Sequence, residues 1–79
     1  MINQLIKNDT TYTTHEVIIK NTKWNIMVVE GKFNYISVQK VITGMRTMAK
    51  DFKTFDEATK NYKNAELKLA LLKIELNIA

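Results

Sequence analysis

A chain of 79 residues can form one small domain, and its 12 Lys and Arg side chains against 8 Asp and Glu give a formal net charge of +4. Because the chain contains no cysteine, disulfide bonds and thiolate metal sites are excluded. No apolar run is long enough to span a bilayer and the N-terminus lacks a signal-peptide core, so we expect a cytoplasmic protein that has no membrane partner.

Residues 1–13 are predicted to be an N-terminal arm. Ile2, Leu5 and Ile6 have the i, i+3, i+4 spacing of one apolar helix face, which suits one or two helical turns. Such a short helix is not stable alone, so we expect these side chains to pack on the rest of the domain. The polar, threonine-rich residues 8–14 are predicted to be a loop that leads into a strand.

Residues 14–52 are predicted to form an antiparallel sheet. The sequence there has three segments rich in β-branched and aromatic side chains, and two short breaks separate them. The segments are residues 15–20, 23–30 and 33–42. The breaks at residues 21–22 and 31–32 suit two-residue hairpin loops, and Gly31 fits the first position of a type II′ turn.

Two-residue loops determine which strand residues stand opposite each other. Ile19 would then face Trp24, and Val28 would face Tyr35. Directly opposed residues share a face of the sheet, so one face is predicted as the core. Its members are Val17, Ile19, Trp24, Ile26, Val28, Phe33 and Tyr35. The opposite face would receive Met27, Val29, Ile36 and Val38. A shift of one residue in either loop would exchange these faces.

Residues 45–52 are either a fourth strand or an irregular return to the helix. Their apolar alternation is weak, but Arg46, Lys50 and Asp51 carry charges that discourage unwanted pairing at a sheet edge. We favour a short edge strand. The predicted fold is therefore α+β, an antiparallel meander of three to four strands packed on one long C-terminal helix.

Residues 54–77 are predicted to be that helix. Thr54 and Glu57 match a capping box, and Asp56 can pair with Lys60 one turn later. One apolar line runs along the whole helix and is assigned to the core: Phe55, Ala58, Tyr62, Ala65, Leu69, Leu72 and Leu76. A second line on roughly the opposite side is assigned to a protein interface: Leu67, Leu71, Ile74 and Ile78.

The second line needs a cover, because one sheet can cover only one side of a helix. An antiparallel pair of these helices in a homodimer would cover it symmetrically. The alternatives are that Ile2, Leu5 and Ile6 of the arm cover it within one chain, or that a different protein covers it. The homodimer is favoured, since the arm supplies only three apolar side chains.

Catalysis is not expected. His15 is the single histidine, no cysteine is present, no serine lies in a G-x-S-x-G motif, and Gly31 and Gly44 are the only glycines, so the sequence shows neither a nucleophile motif nor a phosphate-binding glycine loop. We therefore expect no enzyme activity, no metal site and no cofactor.

The expected function is that of a small non-catalytic binding module that acts by macromolecular docking. Its size and its richness in lysine are typical of accessory proteins of phages and mobile elements, including inhibitors of host or defence proteins. The alternative is sequence-independent binding of single-stranded nucleic acid through cations on the outer sheet face. The cations are Lys20, Lys23, Lys40, Arg46 and Lys50.

Overall fold

The computed structural model describes the backbone of residues 2–78 and the side chains of residues 2–77. Five strands form one antiparallel sheet in the order β1-β2-β3-β4-β5, and two helices follow. The elements are β1 (Ile2–Lys7), β2 (Thr10–Ile19), β3 (Thr22–Glu30), β4 (Tyr35–Val41), β5 (Lys50–Phe52), α1 (Phe55–Asn61) and α2 (Ala65–Ile78). The predicted α+β class, with a meander and a long C-terminal helix, is confirmed.

The N-terminal segment is a strand rather than the predicted helical turns. β1 pairs with β2 along its whole length, from Ile2 opposite His15 to Lys7 opposite Thr10. Asn8 and Asp9 have φ values of 51° and 60°, the left-handed geometry of a type I′ hairpin turn. The threonine-rich segment predicted as a loop is the first half of β2.

The β2–β3 hairpin turns one residue earlier than predicted. Lys20 and Asn21 have φ values of 48° and 64°, so they are the two central residues of this turn. Trp24 consequently stands opposite Val17 instead of Ile19. Because the register moves by two residues, the predicted sharing of one face by Val17, Ile19 and Trp24 still holds.

The β3–β4 register differs from the prediction by one residue. The loop between these strands covers residues 31–34, and the Asn34 side-chain oxygen accepts a hydrogen bond of 3.2 Å from the Gly31 amide. Val28 therefore stands opposite Ile36 rather than Tyr35. This shift exchanges the two faces of β4.

We call the side of the sheet that the helices cover the helix face and the opposite side the outer face. Ile36 and Val38 share the helix face with Ile26 and Val28, and all four are buried in the core. Tyr35 lies on the outer face, because it is opposite Val29. The predictions for Tyr35, Ile36 and Val38 were therefore wrong.

The sheet ends at β5, which has three residues. Phe52 stands opposite Ile36 and is buried in the core. Residues 42–49 are irregular, and this segment is held to β4 where the Gln39 side chain donates a 2.9 Å hydrogen bond to the Thr47 carbonyl oxygen. The favoured short edge strand is present, but it is confined to the last residues of the segment.

The start of α1 confirms the predicted capping box. The Thr54 hydroxyl accepts a 3.2 Å hydrogen bond from the Glu57 amide, and the Glu57 carboxylate accepts one of 3.3 Å from the Lys53 amide. Asp56 and Lys60 form the expected ion pair at 3.0 Å. The first hydrogen bond satisfies a backbone donor that the helix start leaves free, and the second satisfies the donor of the residue before the N-cap.

The predicted single helix is broken between α1 and α2. Tyr62 has an extended backbone (φ −107°, ψ 138°), which ends α1. The Asn64 side chain then accepts hydrogen bonds from the amides of Glu66 (2.9 Å) and Leu67 (3.2 Å) and so caps a new helix. The three residues between the helices change the direction in which the following side chains point.

The core lies between the helix face and both helices. α1 packs on β4 and β5, and α2 packs on β2. Tyr62 joins the layers, because its ring makes edge-to-face contacts with Trp24 and Phe52 at centroid distances of 5.8 and 5.9 Å. All six residues of β1 remain exposed.

Candidate interaction surfaces

The residues predicted as a protein interface on the C-terminal helix lie in the core. Leu67 and Leu71 are fully buried, and Ile74 is 6% exposed. The side chain of Ile78 lies outside the described residues. These side chains face the sheet because the break before α2 rotates the helix, so the interface prediction for Leu67, Leu71 and Ile74 does not fit the packing.

The exposed apolar row of α2 is instead the line that was assigned to the core. Leu69, Leu72 and Leu76 are 52%, 45% and 73% exposed. The first half of that same line does reach the core, since Ala58 is fully buried and Phe55 and Tyr62 are half-buried against it. The two halves point in different directions because the helix is not continuous.

The predicted row of cations is not assembled on one face. Lys23 lies on the outer face and pairs with Glu16 at 2.8 Å, whereas Lys40 stands opposite Trp24 on the helix face, its ammonium nitrogen 5.9 Å from the centroid of the Trp24 ring. Lys20 occupies the β2–β3 turn. The prediction that these cations form one stripe on the outer face was therefore wrong.

The remaining two predicted cations do not restore the stripe. Lys50 stands opposite Val38 on the helix face, and its ammonium donates a 3.0 Å hydrogen bond to the Asn61 side chain. Arg46 lies exposed in the irregular segment of residues 42–49. Lys7 adds a charge at the end of β1 on the outer face.

An open groove of about 420 Å³ runs between α2 and the β1–β2 side of the helix face. Its lining includes Ile2, His15 and Val17 from the strands and Leu69 and Lys73 from α2. The His15 Nε2 atom is buried, and it has no hydrogen-bond partner within the described residues. Burial lowers the pKa of His15 below its ordinary value of 6.5.

The outer face is a sheet surface that neither helix covers. Its centre consists of two adjacent rows that cross the strands and carry no charge. The rows are Leu5–Tyr12–Val29–Tyr35 and Asn3–Thr14–Met27–Ser37. Val29, opposite both tyrosines, is 1% exposed, whereas Tyr12, Met27 and Tyr35 are half-buried.

The charges of the outer face lie around these rows. The Glu16–Lys23 ion pair stands towards one end of the strands, Lys7 at the other end, and Asp51 on the edge strand β5. A shallow pocket of about 230 Å³ borders the second row, where Ala49 of the irregular segment approaches the sheet. The outer face thus has an uncharged centre and a charged margin.

Sequence reasoning missed both the strand β1 and the uncharged centre of the outer face. The signal for β1 was the Asn8-Asp9 pair, since both residue types tolerate the positive φ that a type I′ turn requires. The arrival of Tyr35 on the outer face had no local signal, because it depends on the length of the β3–β4 loop.

Two classes of site are not seen in the part of the chain that the structure describes. Across residues 2–78, no group of three His, Asp or Glu side chains is placed to hold a metal ion. The helices described here are also too short or too polar to cross a membrane.

No protein-family model matches this chain, and no curated protein or solved structure shows significant similarity to it. Its function is therefore inferred from the surfaces described above.

Proposed function

We propose that this protein is a non-catalytic binding module that forms a homodimer and docks a protein partner on the outer face of its sheet. The observation that carries the proposal is the uncharged centre of that face, which neither helix covers. With both helices on one side of the five-stranded sheet, the second side is approached only by the irregular segment of residues 42–49 near β4, and the rest is open to a partner.

The residue types of the outer face favour a protein partner. Protein interfaces are depleted of charge in their core, are enriched in tyrosine and methionine, and place charged residues at the rim. Tyr12, Met27 and Tyr35 supply the tyrosine and methionine side chains, and the half-buried Thr14 and the exposed Asn3 beside them can donate and accept hydrogen bonds. The matching partner surface is apolar at its centre, with uncharged hydrogen-bonding groups around it.

The second candidate function is binding of single-stranded nucleic acid. It gains from the β3–β4 register, which places Tyr35 next to Val29 and in the same row as Tyr12, on an open surface where bases could stack. Single-strand binders, however, combine such platforms with a positively charged groove. The two central rows contain no cation, and Lys23 is already paired with Glu16. Protein docking is therefore the better-supported function.

The biological setting we propose is that of a phage or mobile-element accessory protein. A small module without catalytic groups acts on a host or defence protein by covering a surface which that protein needs. The support is the size of the chain and its lysine-rich composition.

The first test is the solution mass over a concentration series, with and without a short single-stranded oligonucleotide, at low and moderate salt. A dimer that ignores the oligonucleotide is the expected result. A complex with the oligonucleotide that is lost as salt rises would replace the proposal by the nucleic-acid function.

The second test asks whether protein capture depends on the outer face. Thr14→Arg puts a charge at the centre of this face, and Thr43→Arg makes the same change in the exposed irregular segment. A protein retained by the wild type and by Thr43→Arg but lost by Thr14→Arg supports docking there. Equal retention by both variants would refute it.

A further inference from the structure

We propose that the homodimer forms by antiparallel pairing of β1 with β1 of a second copy, about a twofold axis at Gln4. The two sheets then become one continuous sheet of ten strands. This inference rests on the proposed function for the existence of a homodimer, and it adds which surface forms it.

The two edges of the sheet differ in their capacity to accept another strand. The β5 edge has three residues, two of them charged, and it leads directly into α1. The β1 edge has six residues, carries a single charge at Lys7, contains no proline, and continues its register with β2 without a bulge. Monomeric proteins usually protect a long edge with charges, prolines or bulges.

β1 also exposes apolar side chains on both of its faces. Ile2, Leu5 and Ile6 are 66%, 61% and 69% exposed. Ile2 and Ile6 belong to the helix face, and Leu5 belongs to the outer face. A strand added beside β1 would cover parts of all three side chains, whereas a partner that docked on one face alone would not.

The Asn8-Asp9 turn shows which backbone groups of β1 are free. In a type I′ turn the residues on either side are hydrogen-bonded to each other, so Lys7 bonds to Thr10. Hydrogen-bonded and non-hydrogen-bonded pairs alternate along an antiparallel ladder. The N–H and C=O groups of Ile2, Gln4 and Ile6 therefore point away from β2, towards the open edge.

These free groups are self-complementary. Antiparallel pairing centred on Gln4 places Gln4 opposite Gln4, and Ile2 opposite Ile6 twice. Each of these three pairs can exchange two backbone hydrogen bonds, so every outward-facing group of β1 is used. Lys7 of one copy and Lys7 of the other lie at opposite ends of the paired segment, so like charges do not meet. A pairing with itself explains this pattern without a second kind of chain.

The pairing also extends both faces of the sheet. Ile6 of the second copy lies beside Ile2 and so enlarges the apolar floor of the groove next to α2. On the outer face, Leu5 stands opposite Asn3 of the second copy. The uncharged row that ends at Leu5 therefore continues into the row that begins at Asn3 of the other copy, and the docking surface becomes one strip across the dimer.

The assembly closes at two copies. Each copy uses its β1 edge, and the pairing is the same surface on both sides, so no free β1 edge remains. The short, charged β5 edges lie at the two ends of the ten-stranded sheet.

Thiol cross-linking tests the register directly, because the chain has no native cysteine. A hydrogen-bonded antiparallel pair has its Cα atoms about 5.5 Å apart, but its Cβ atoms are farther apart than the roughly 3.5–4.5 Å that a disulfide needs, so a short bifunctional thiol reagent is used. Gln4→Cys should therefore form a covalent dimer with this reagent. Lys7→Cys is the control, because its copies would be six residues apart along the strand, about 20 Å, and should not cross-link.

Proline substitution tests the role of the edge in solution. Gln4→Pro removes an N–H that points outwards, so the β1–β2 ladder stays intact. Because the lost N–H belongs to the central pair of the interface, the dissociation constant of the dimer should rise about tenfold or more. The control is Leu5→Pro, which removes an N–H that is bonded to β2 and should detach β1. Circular dichroism shows whether Gln4→Pro remains folded, and if it does not, the Gln4→Cys result alone decides.

The outcomes separate this inference from the proposed function. A wild-type dimer that gives no Gln4→Cys cross-link would overturn the β1 pairing and leave the homodimer standing on another surface. A wild type that is monomeric at all concentrations would overturn both. A cross-link at Gln4→Cys together with one of equal yield at Lys7→Cys would show random collision and also refute the pairing.

Discussion

Truncation of Leu71 tests the break between α1 and α2, on which the identity of the exposed helix face depends. Leu71 is fully buried, whereas Leu76, one and a half turns later on the same helix, is 73% exposed. Leu71→Ala removes three buried carbon atoms, worth about 2.4 kcal/mol at about 0.8 kcal/mol for each methylene. The cavity left behind raises the expected loss of unfolding free energy to roughly 2.7–5 kcal/mol.

That loss is large for so small a protein. A domain of this length has an unfolding free energy of about 4–12 kcal/mol. The midpoint of thermal unfolding should accordingly fall by roughly 10 °C or more in Leu71→Ala. Leu76→Ala should change the unfolding free energy by no more than about 0.5 kcal/mol, because little apolar surface is released.

Urea unfolding followed by the fluorescence of Trp24, the only tryptophan, measures both variants at one fixed protein concentration. If Leu71→Ala leaves too little folded protein, Leu71→Met provides a measurable variant, with an expected loss below about 1.5 kcal/mol. A larger loss in Leu76→Ala than in Leu71→Ala would refute the assignment and would restore the continuous helix with its original core line.

Three other perturbations have defined outcomes. Asn64→Ala removes the acceptor at the start of α2 and should lower the unfolding free energy by about 0.5–2 kcal/mol, whereas Asn77→Ala near the helix end should be almost neutral. Gly31→Ala should destabilise the fold more than Gly44→Ala in urea unfolding. Both glycines have positive φ, for which a penalty of about 1–3 kcal/mol applies, but only at Gly31 would the added Cβ clash with the Asp9 carbonyl oxygen. Burial lowers the pKa of His15 in the folded state, so the contribution of neutral His15 to the unfolding free energy should be complete above pH 6.5 and should be lost as the pH falls through the folded pKa. In His15→Asn the urea midpoint should therefore change less between about pH 7.5 and 5.5 than it does in the wild type.

Local signals in the sequence were sufficient for several elements. The capping residues Thr54 and Glu57 correctly located the start of α1, because the contacts that they make lie within one turn. The β-branched and aromatic segments correctly indicated the central strands β2, β3 and β4. The shared face of Val17, Ile19 and Trp24 was also correct, although the turn between them was displaced.

The sequence contains a signal for the helix break, but the longer pattern of apolar spacing favoured one continuous helix. Asn64 is a strong N-cap residue, and Glu66 follows within the first turn of α2. The regular spacing from Phe55 to Leu76 nevertheless favoured one helix, because spacing by itself contains no information on whether the backbone between two apolar positions is helical. The predicted interface was misplaced for that reason alone.

The sequence by itself determined the three central strands, the start of the C-terminal helical region and the α+β class, since these follow from propensities, capping residues and turns that act over a few neighbours. Only the tertiary structure decided which side of β4 and of α2 faces inwards. Side chains alternate with a period of two along a strand, so two extra loop residues beyond the predicted turn and a one-residue change in pairing moved Tyr35 outwards and Ile36 inwards. Each helical residue turns the face by about 100°, so three non-helical residues were enough to bury Leu67 and expose Leu69.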